Sequence, residues 1–223
     1  MKRPRPARLV RLLLALGVAG GLTVGLSQTA TTAAFTSQTG DTGNQVSTAA
    51  TFCASPSSTT LGPSSDTAVY QANPNQNYGA TTGIGIGTGA GVNGFSLLKF
   101  SLPALPARCQ ITGATLTIRA STPTAGATLN AYRANAAWNA ATVTWNTGRP
   151  GFTGTPAQTA SLGSSGLQQW NVTTLTRELY TGPDYGFLVK DSVDDSATVR
   201  YQTWDSMETG TPANRPTLAL TWG

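Results

Sequence analysis

The chain has 223 residues, 25 of them glycine, with only 10% charged residues and no histidine. That composition suits many short strands joined by turns, argues against a helical bundle, and removes every catalytic set that needs an imidazole. The net charge of +5 does not indicate nucleic acid: Lys2, Arg3, Arg5, Arg8 and Arg11 are five of the fourteen cations, and all precede the first apolar run. That run, Leu12 to Leu26, follows a basic start and ends in small residues, the pattern of a secretory signal peptide over residues 1–34. Cleavage is expected after Ala34, with Ala30 as the alternative. It is too short and Gly-rich for a comfortable membrane span. The remaining nine cations balance nine acids, so the exported chain is formally neutral and carries no basic patch for nucleic acid.

Residues 35–64 are rich in Ser, Thr, Gly and Ala and read as a linker. Cys53 and Cys109 both fall in the exported part. An even count in an oxidising compartment reads as one disulfide, with two separate buried thiols as the alternative. Two cysteines without histidine give no zinc site.

From Asp66 the texture changes. DTAVYQ alternates; NPNQNYGATTG is dense in turn formers. IGIG, FSLLKFSL, ITGATLTIRA, ATLNAYRANA, TVTW, QQWNVT, GFLVKD, TVRYQTW and PTLALTW are further short strand candidates. Ala114, Leu116 and Ile118 share one face, as do Leu218, Leu220 and Trp222; Leu98 and Phe100 oppose Leu97 and Lys99. About ten strands at this spacing predict an all-β, antiparallel, jelly-roll-like β-sandwich over residues 65–223. VTTLTRELYTG predicts at most one short helix, with Leu175 and Leu179 four apart and Gly182 as its C-terminal cap. Asn171-Val-Thr173 fits a glycosylation sequon, but in the strand-like WNVT it reads as chance.

In WNAATVTWNTGRP, Val143 and Trp145 share a face, which predicts Trp145 in the core; Trp138, before a turn, is expected half-exposed. Sugar binding needs exposed aromatic planes with polar groups nearby. Tyr78 in NQNYG, and Tyr201 and Trp204 with Arg200 in VRYQTWDS, are the candidates; core packing or loop anchoring is the competing role for each ring. Lys99 and Arg119 form a possible row for an anionic polysaccharide. Binding requires no cofactor. A structural calcium is the metal expectation, with Asp66, Asp191, Asp194 and Asp195 as ligands; the alternative for DSVDD is a polar hairpin tip. Paired acids for glycoside hydrolysis could come only from Asp205 with Glu208 or Glu178 with Asp184, and nothing around them marks a raised pKa, so no enzyme activity is expected.

The ordered set DTAVYQANPNQNYG, SLLKFSLPALP, ITGATLTI, AWNAATVTWNTGRP, QQWNVTTL, YGFLVKD and NRPTLALTW resembles the DNRLRE-type domain, from Asp66 to Trp222. That family is a secreted β-sandwich classed among carbohydrate-binding modules. Gly94–Phe95–Ser96 departs from it where relatives often carry an Arg, and YQTWDSMETGTPANRP follows the pattern loosely. Ala34–Phe35–Thr36 with Thr42–Gly43–Asn44 resembles the front of SipW-type, camelysin- and TasA-like exported surface proteins. Together the resemblances imply a secreted or surface-associated, non-catalytic polysaccharide-binding protein, possible partners including anionic or cell-wall glycans. The alternative is a structural surface or matrix protein acting through self-association.

Overall fold

The computed structural model describes residues 52–223; the expected signal peptide and the resemblance around residues 34–44 lie outside the described residues. Eleven strands run in chain order as β1 (Ser57–Leu61), β2 (Pro63–Tyr70), β3 (Gly83–Thr88), β4 (Gly94–Phe100), β5 (Ile111–Thr122), β6 (Thr128–Ala134), β7 (Phe152–Ala160), β8 (Gly166–Asn171), β9 (Phe187–Asp191), β10 (Arg200–Asp205) and β11 (Thr217–Trp222). Among the described residues one helix, α1 (Thr173–Thr181), follows β8, and a single 3-10 turn, Pro212–Asn214, precedes β11. Every pairing is antiparallel. This is the expected all-β, sandwich-like fold.

Two wings make the sandwich. In one, β5 pairs β11 on one edge and β8 on the other, since Thr115 faces both Ala219 and Asn171; β1 lies outside β11. In the other, β4 carries β2 on one edge and β9 on the opposite edge, and β6 and β7 continue from β9. β10 and β3 join the wings: β10 pairs the end of β5 and the whole of β3, and β3 meets β4 at Gly87↔Gly94. The sheet therefore curls, and its inner faces close on one core.

The alternation read from the sequence sets that core. Ala114, Leu116 and Ile118 of β5 meet Leu218 and Leu220 of β11, Leu98 and Phe100 of β4, and Phe187 and Val189 of β9. Trp170 and Trp204 pack at its centre, ring centroids 5.4 Å apart. Each buried aromatic removes roughly 150–250 Å² from water, so this pair anchors the stack. Leu175 and Leu179 dock α1 onto the same core. Its first N–H is satisfied by Asn171, whose Oδ1 accepts from Thr173 N–H and Oγ1. Gly182 donates its N–H to Glu178 O but stays extended, so it closes the helix without a left-handed cap.

Three expectations are corrected. The domain begins within the expected linker: Ser57–Leu61 is a strand, polar because it lies at the sheet's edge. TVTW forms no strand; residues 138–150 are a loop that lies over the outer face of β2, β4 and β9. There Val143 packs with Val69, Phe95, Leu97 and Leu188, so β4 is buried on both faces. Trp145 is half-buried at the edge of this second cluster and does not enter the main core. The unpredicted strand β7 carries Pro156 and little alternation, both tolerated because β7 is an edge.

Cys53 and Cys109 form the expected disulfide, 56 residues apart in sequence. It ties the segment before β1 to the loop before β5, and Trp222 Nε1 donates to Ser55 O nearby. Closing a loop of this length contributes about 4 kcal/mol in the chain-entropy view.

Candidate functional site

Three tyrosines from three separate segments converge at one end of the sandwich. Tyr70 ends β2, Tyr78 sits in the β2–β3 loop, and Tyr201 lies in β10. The Tyr70 ring meets Tyr78 edge-on at 4.7 Å and Tyr201 tilted at 5.6 Å. With Val92, Val199, Arg200 and Asn73 they line a pocket of about 270 Å³. Ala72 and Asn73 are shared with an open depression lined by Asn75, Gln76 and Asn77, so an amide-bearing surface continues from the aromatic one. Tyr70 is buried, and that burial holds its phenol above the ordinary value, so it stays neutral. Tyr201 keeps 51% of its surface exposed.

The local sequence explains the convergence. Glycine clears the space the rings occupy: a Cβ on Gly94 would stand 2.5 Å from Tyr70 Cδ1, and one on Gly87 would stand 3.2 Å from Tyr201 Cδ2. The Tyr78 loop is pinned by its neighbour, since Asn77 Nδ2 donates to Ala140 O (2.6 Å) and Val143 O (2.8 Å). The NPNQNYG turn and the WNAATVTWN loop thus hold one another, and Asn146 N–H closes the contact on Pro74 O. Arg200 forms a two-pronged pair with Asp191, Nε to Oδ2 at 3.1 Å and Nη2 to Oδ1 at 2.9 Å. That bond holds the guanidinium charged and raises its pKa further.

Of the four sugar-binding candidates, the structure brings Tyr78, Arg200 and Tyr201 together. Trp204 does not join them: it is 0% exposed. The alternation along β10 has the expected parity, but Gln202 and Trp204 are buried, while Arg200 is half-buried at the pocket and Tyr201 is exposed. No sugar can stack on Trp204, whose place is the core.

The four carboxylates expected around calcium are not brought together, and among the described residues no cluster of three metal-binding side chains forms. Asp191 is engaged by Arg200, and Asp194 pairs with Lys190. Asp195 accepts from Asn93 Nδ2 at 2.7 Å. These bonds tie the DSVDD segment to its own strand, to β10 and to the Gly89–Asn93 turn; β9 and β10 do not pair with each other, so it is a pinned connection between strands and not the tip of a hairpin. Asp66 lies elsewhere, against Met207.

A second aromatic region covers the outer face of β4 and β9, and sequence reasoning did not find it. Arg149 lies 3.9 Å over the Trp145 ring and 5.6 Å from Phe95; Lys190 Nζ lies 5.3 Å from Phe95 and 5.2 Å from Phe152; Phe152 meets Tyr132 at 4.4 Å. Cations and rings alternate along this chain of contacts. Partial burial lowers the Arg149 pKa, and Asp194 opposes that. The RP and LVKD motifs held Arg149 and Lys190, but only the fold puts them on one face. Of the proposed cationic row, Arg119 is paired to Asp205 at 3.1 Å, and Lys99 makes no ion pair among the described residues.

Of the acids considered for hydrolysis, Asp205, Glu178 and Asp184 have partners of their own, and, against the expectation that none is perturbed, burial raises the pKa of Asp184. Asp205 pairs with Arg119, Glu178 with Arg133, and Asp184 accepts from Gly186 N–H. No described helix is long and apolar enough to cross a membrane. Residues 57–222 match the model of carbohydrate-binding module family 96. No curated protein matches the chain.

Proposed function

The chain belongs to carbohydrate-binding module family 96, and on that premise we propose that it is a secreted, non-catalytic protein that binds a polysaccharide at the tyrosine pocket. The observation that carries this reading is the meeting of Tyr70, Tyr78 and Tyr201 around an open volume with Arg200 at its wall. Tyr201 offers a ring face to the C–H face of a pyranose. Arg200 and Asn73 offer donors to hydroxyls, and the neighbouring amides of Asn75, Gln76 and Asn77 suit a second sugar along the chain. An acidic or cell-wall glycan is the favoured partner, Arg200 being the cation that lines the pocket. The disulfide is compatible with export.

A structural role through edge-strand self-association is the weaker reading. β1 is short, polar and tied down by the disulfide and the Trp222–Ser55 bond, and β7 carries Pro156. Such edges resist pairing with another chain.

The test is a glycan array and affinity gel of the secreted protein, including anionic polysaccharides and bacterial wall fractions. Binding that Tyr201→Ala removes without unfolding is the expected result. No binding to any glycan, with concentration-dependent assembly in sedimentation, overturns the reading in favour of a structural protein.

A further inference from the structure

Asp66 and Glu208 come from opposite ends of the domain and meet inside it. Asp66 sits in β2 with 1% of its surface exposed. Its Oδ2 accepts the Met207 N–H at 2.8 Å. Its Oδ1 is buried without a hydrogen-bond partner, and so is Oε2 of Glu208, whose carboxyl faces it. Neither acid belongs to an ion pair among the described residues.

The arrangement is built by the backbone. Ser206 Oγ donates to Thr81 O at 2.6 Å and accepts the Glu208 N–H at 3.1 Å. Ser206 N–H donates to Thr82 O, and Thr209 N–H closes the turn on Ser206 O. A tight turn, anchored to the loop before β3, therefore presents Glu208 to Asp66. A buried carboxyl facing a half-buried one costs free energy through desolvation and repulsion, and each orphaned acceptor oxygen adds to that cost. A scaffold this well bonded around two unsatisfied acidic oxygens calls for a positive group between them.

We propose that Asp66 Oδ1 and Glu208 Oε2 are ligands of a hard divalent cation, calcium by its chemistry, that clips β2 to the turn after β10. Carboxylate oxygens suit calcium, and backbone carbonyls and water complete its shell of six to eight oxygens. The site is separate from the DSVDD segment, whose acids are engaged elsewhere. It also stands apart from the tyrosine pocket, so it does not depend on what that pocket binds.

The test uses the full chain, exported, purified and stripped with EDTA. Calorimetric titration with calcium chloride is expected to give one ion per chain. At a hundredfold excess over Kd the unfolding midpoint should rise by about 5–10 °C. Glu208→Gln should abolish that rise and Asp194→Asn should keep it. Tryptophan-sensitised terbium luminescence, with calcium as competitor, reads cation binding in the wild-type protein, whether or not the variant folds. Two results overturn the proposal: calcium binding that survives Glu208→Gln, or a wild-type protein that ignores calcium, magnesium and manganese. In the second case a shared proton holds the pair, since burial and Glu208 push Asp66 from 3.8 to about 7. Stability would then fall as the pH rises from about 4 to about 7 and level off above, because the unfolded chain releases the proton first.

Discussion

The tyrosine pocket and the outer face of β4 and β9 use the same kind of ring to opposite ends. In the pocket, Tyr70, Tyr78 and Tyr201 meet edge-on or tilted, and Tyr201 stays half-exposed. On the outer face the rings are occupied: Arg149 covers Trp145, and Lys190 stands between Phe95 and Phe152. A sugar stacks on a bare ring, and a ring capped by a cation has lost that surface. The difference comes from the neighbours. Beside the pocket β3 supplies Gly85 and Gly87, which have no side chain to interpose, whereas β9 and the 138–150 loop supply Lys190 and Arg149. The proposed site is distinguished by what lies on the aromatic faces, and counting aromatics does not find it.

Four substitutions test that contrast. Trp204→Ala should have the largest effect, a loss of about 3–5 kcal/mol in denaturant unfolding, because it empties the centre of the core. A folded variant that loses only glycan binding would put the indole back in the site and break the comparison. Gly94→Ala should cost about 1–3 kcal/mol by overpacking against Tyr70. By shifting that ring it should also weaken binding on an affinity gel; unchanged binding would mean that Tyr70 does not shape the pocket. Tyr201→Ala should lower glycan affinity about tenfold, or 1.4 kcal/mol, while stability stays within about 0.5 kcal/mol. Arg149→Ala should cost about 1 kcal/mol of stability through its lost ring contacts and leave binding of neutral glycans within about twofold. Loss of all glycan binding in that variant would move the site to the outer face.

Much of the fold was legible because it rests on period-two alternation. β5 and β11 were readable from Leu116, Ile118, Leu218 and Leu220, each of which lies in the core as its neighbours dictate. β1 and β7 were not, because SSTTL and FTGTPAQTA sit at edges where burial places little demand on side chains. TVTW misled for the converse reason: Val143 is buried as expected, but by a loop packing onto a sheet rather than by a strand within it.

The site divides in the same way. Tyr78, Arg200 and Tyr201, which line one pocket, could be named as candidates from loop position and strand neighbours, and Cys53 with Cys109 as a disulfide from their number and compartment. Trp204 could not be placed, because alternation separates two faces of a strand without saying which one is wet. The pairing of Asp66 with Glu208 and the alternation of Arg149, Trp145, Phe95 and Lys190 were likewise invisible, since each joins segments far apart in the chain. Local sequence determined which residues alternate, turn and cross-link, because those preferences act between neighbours. Tertiary structure alone decided which face is covered and which acids and rings meet, because the curl of the sheet sets those contacts.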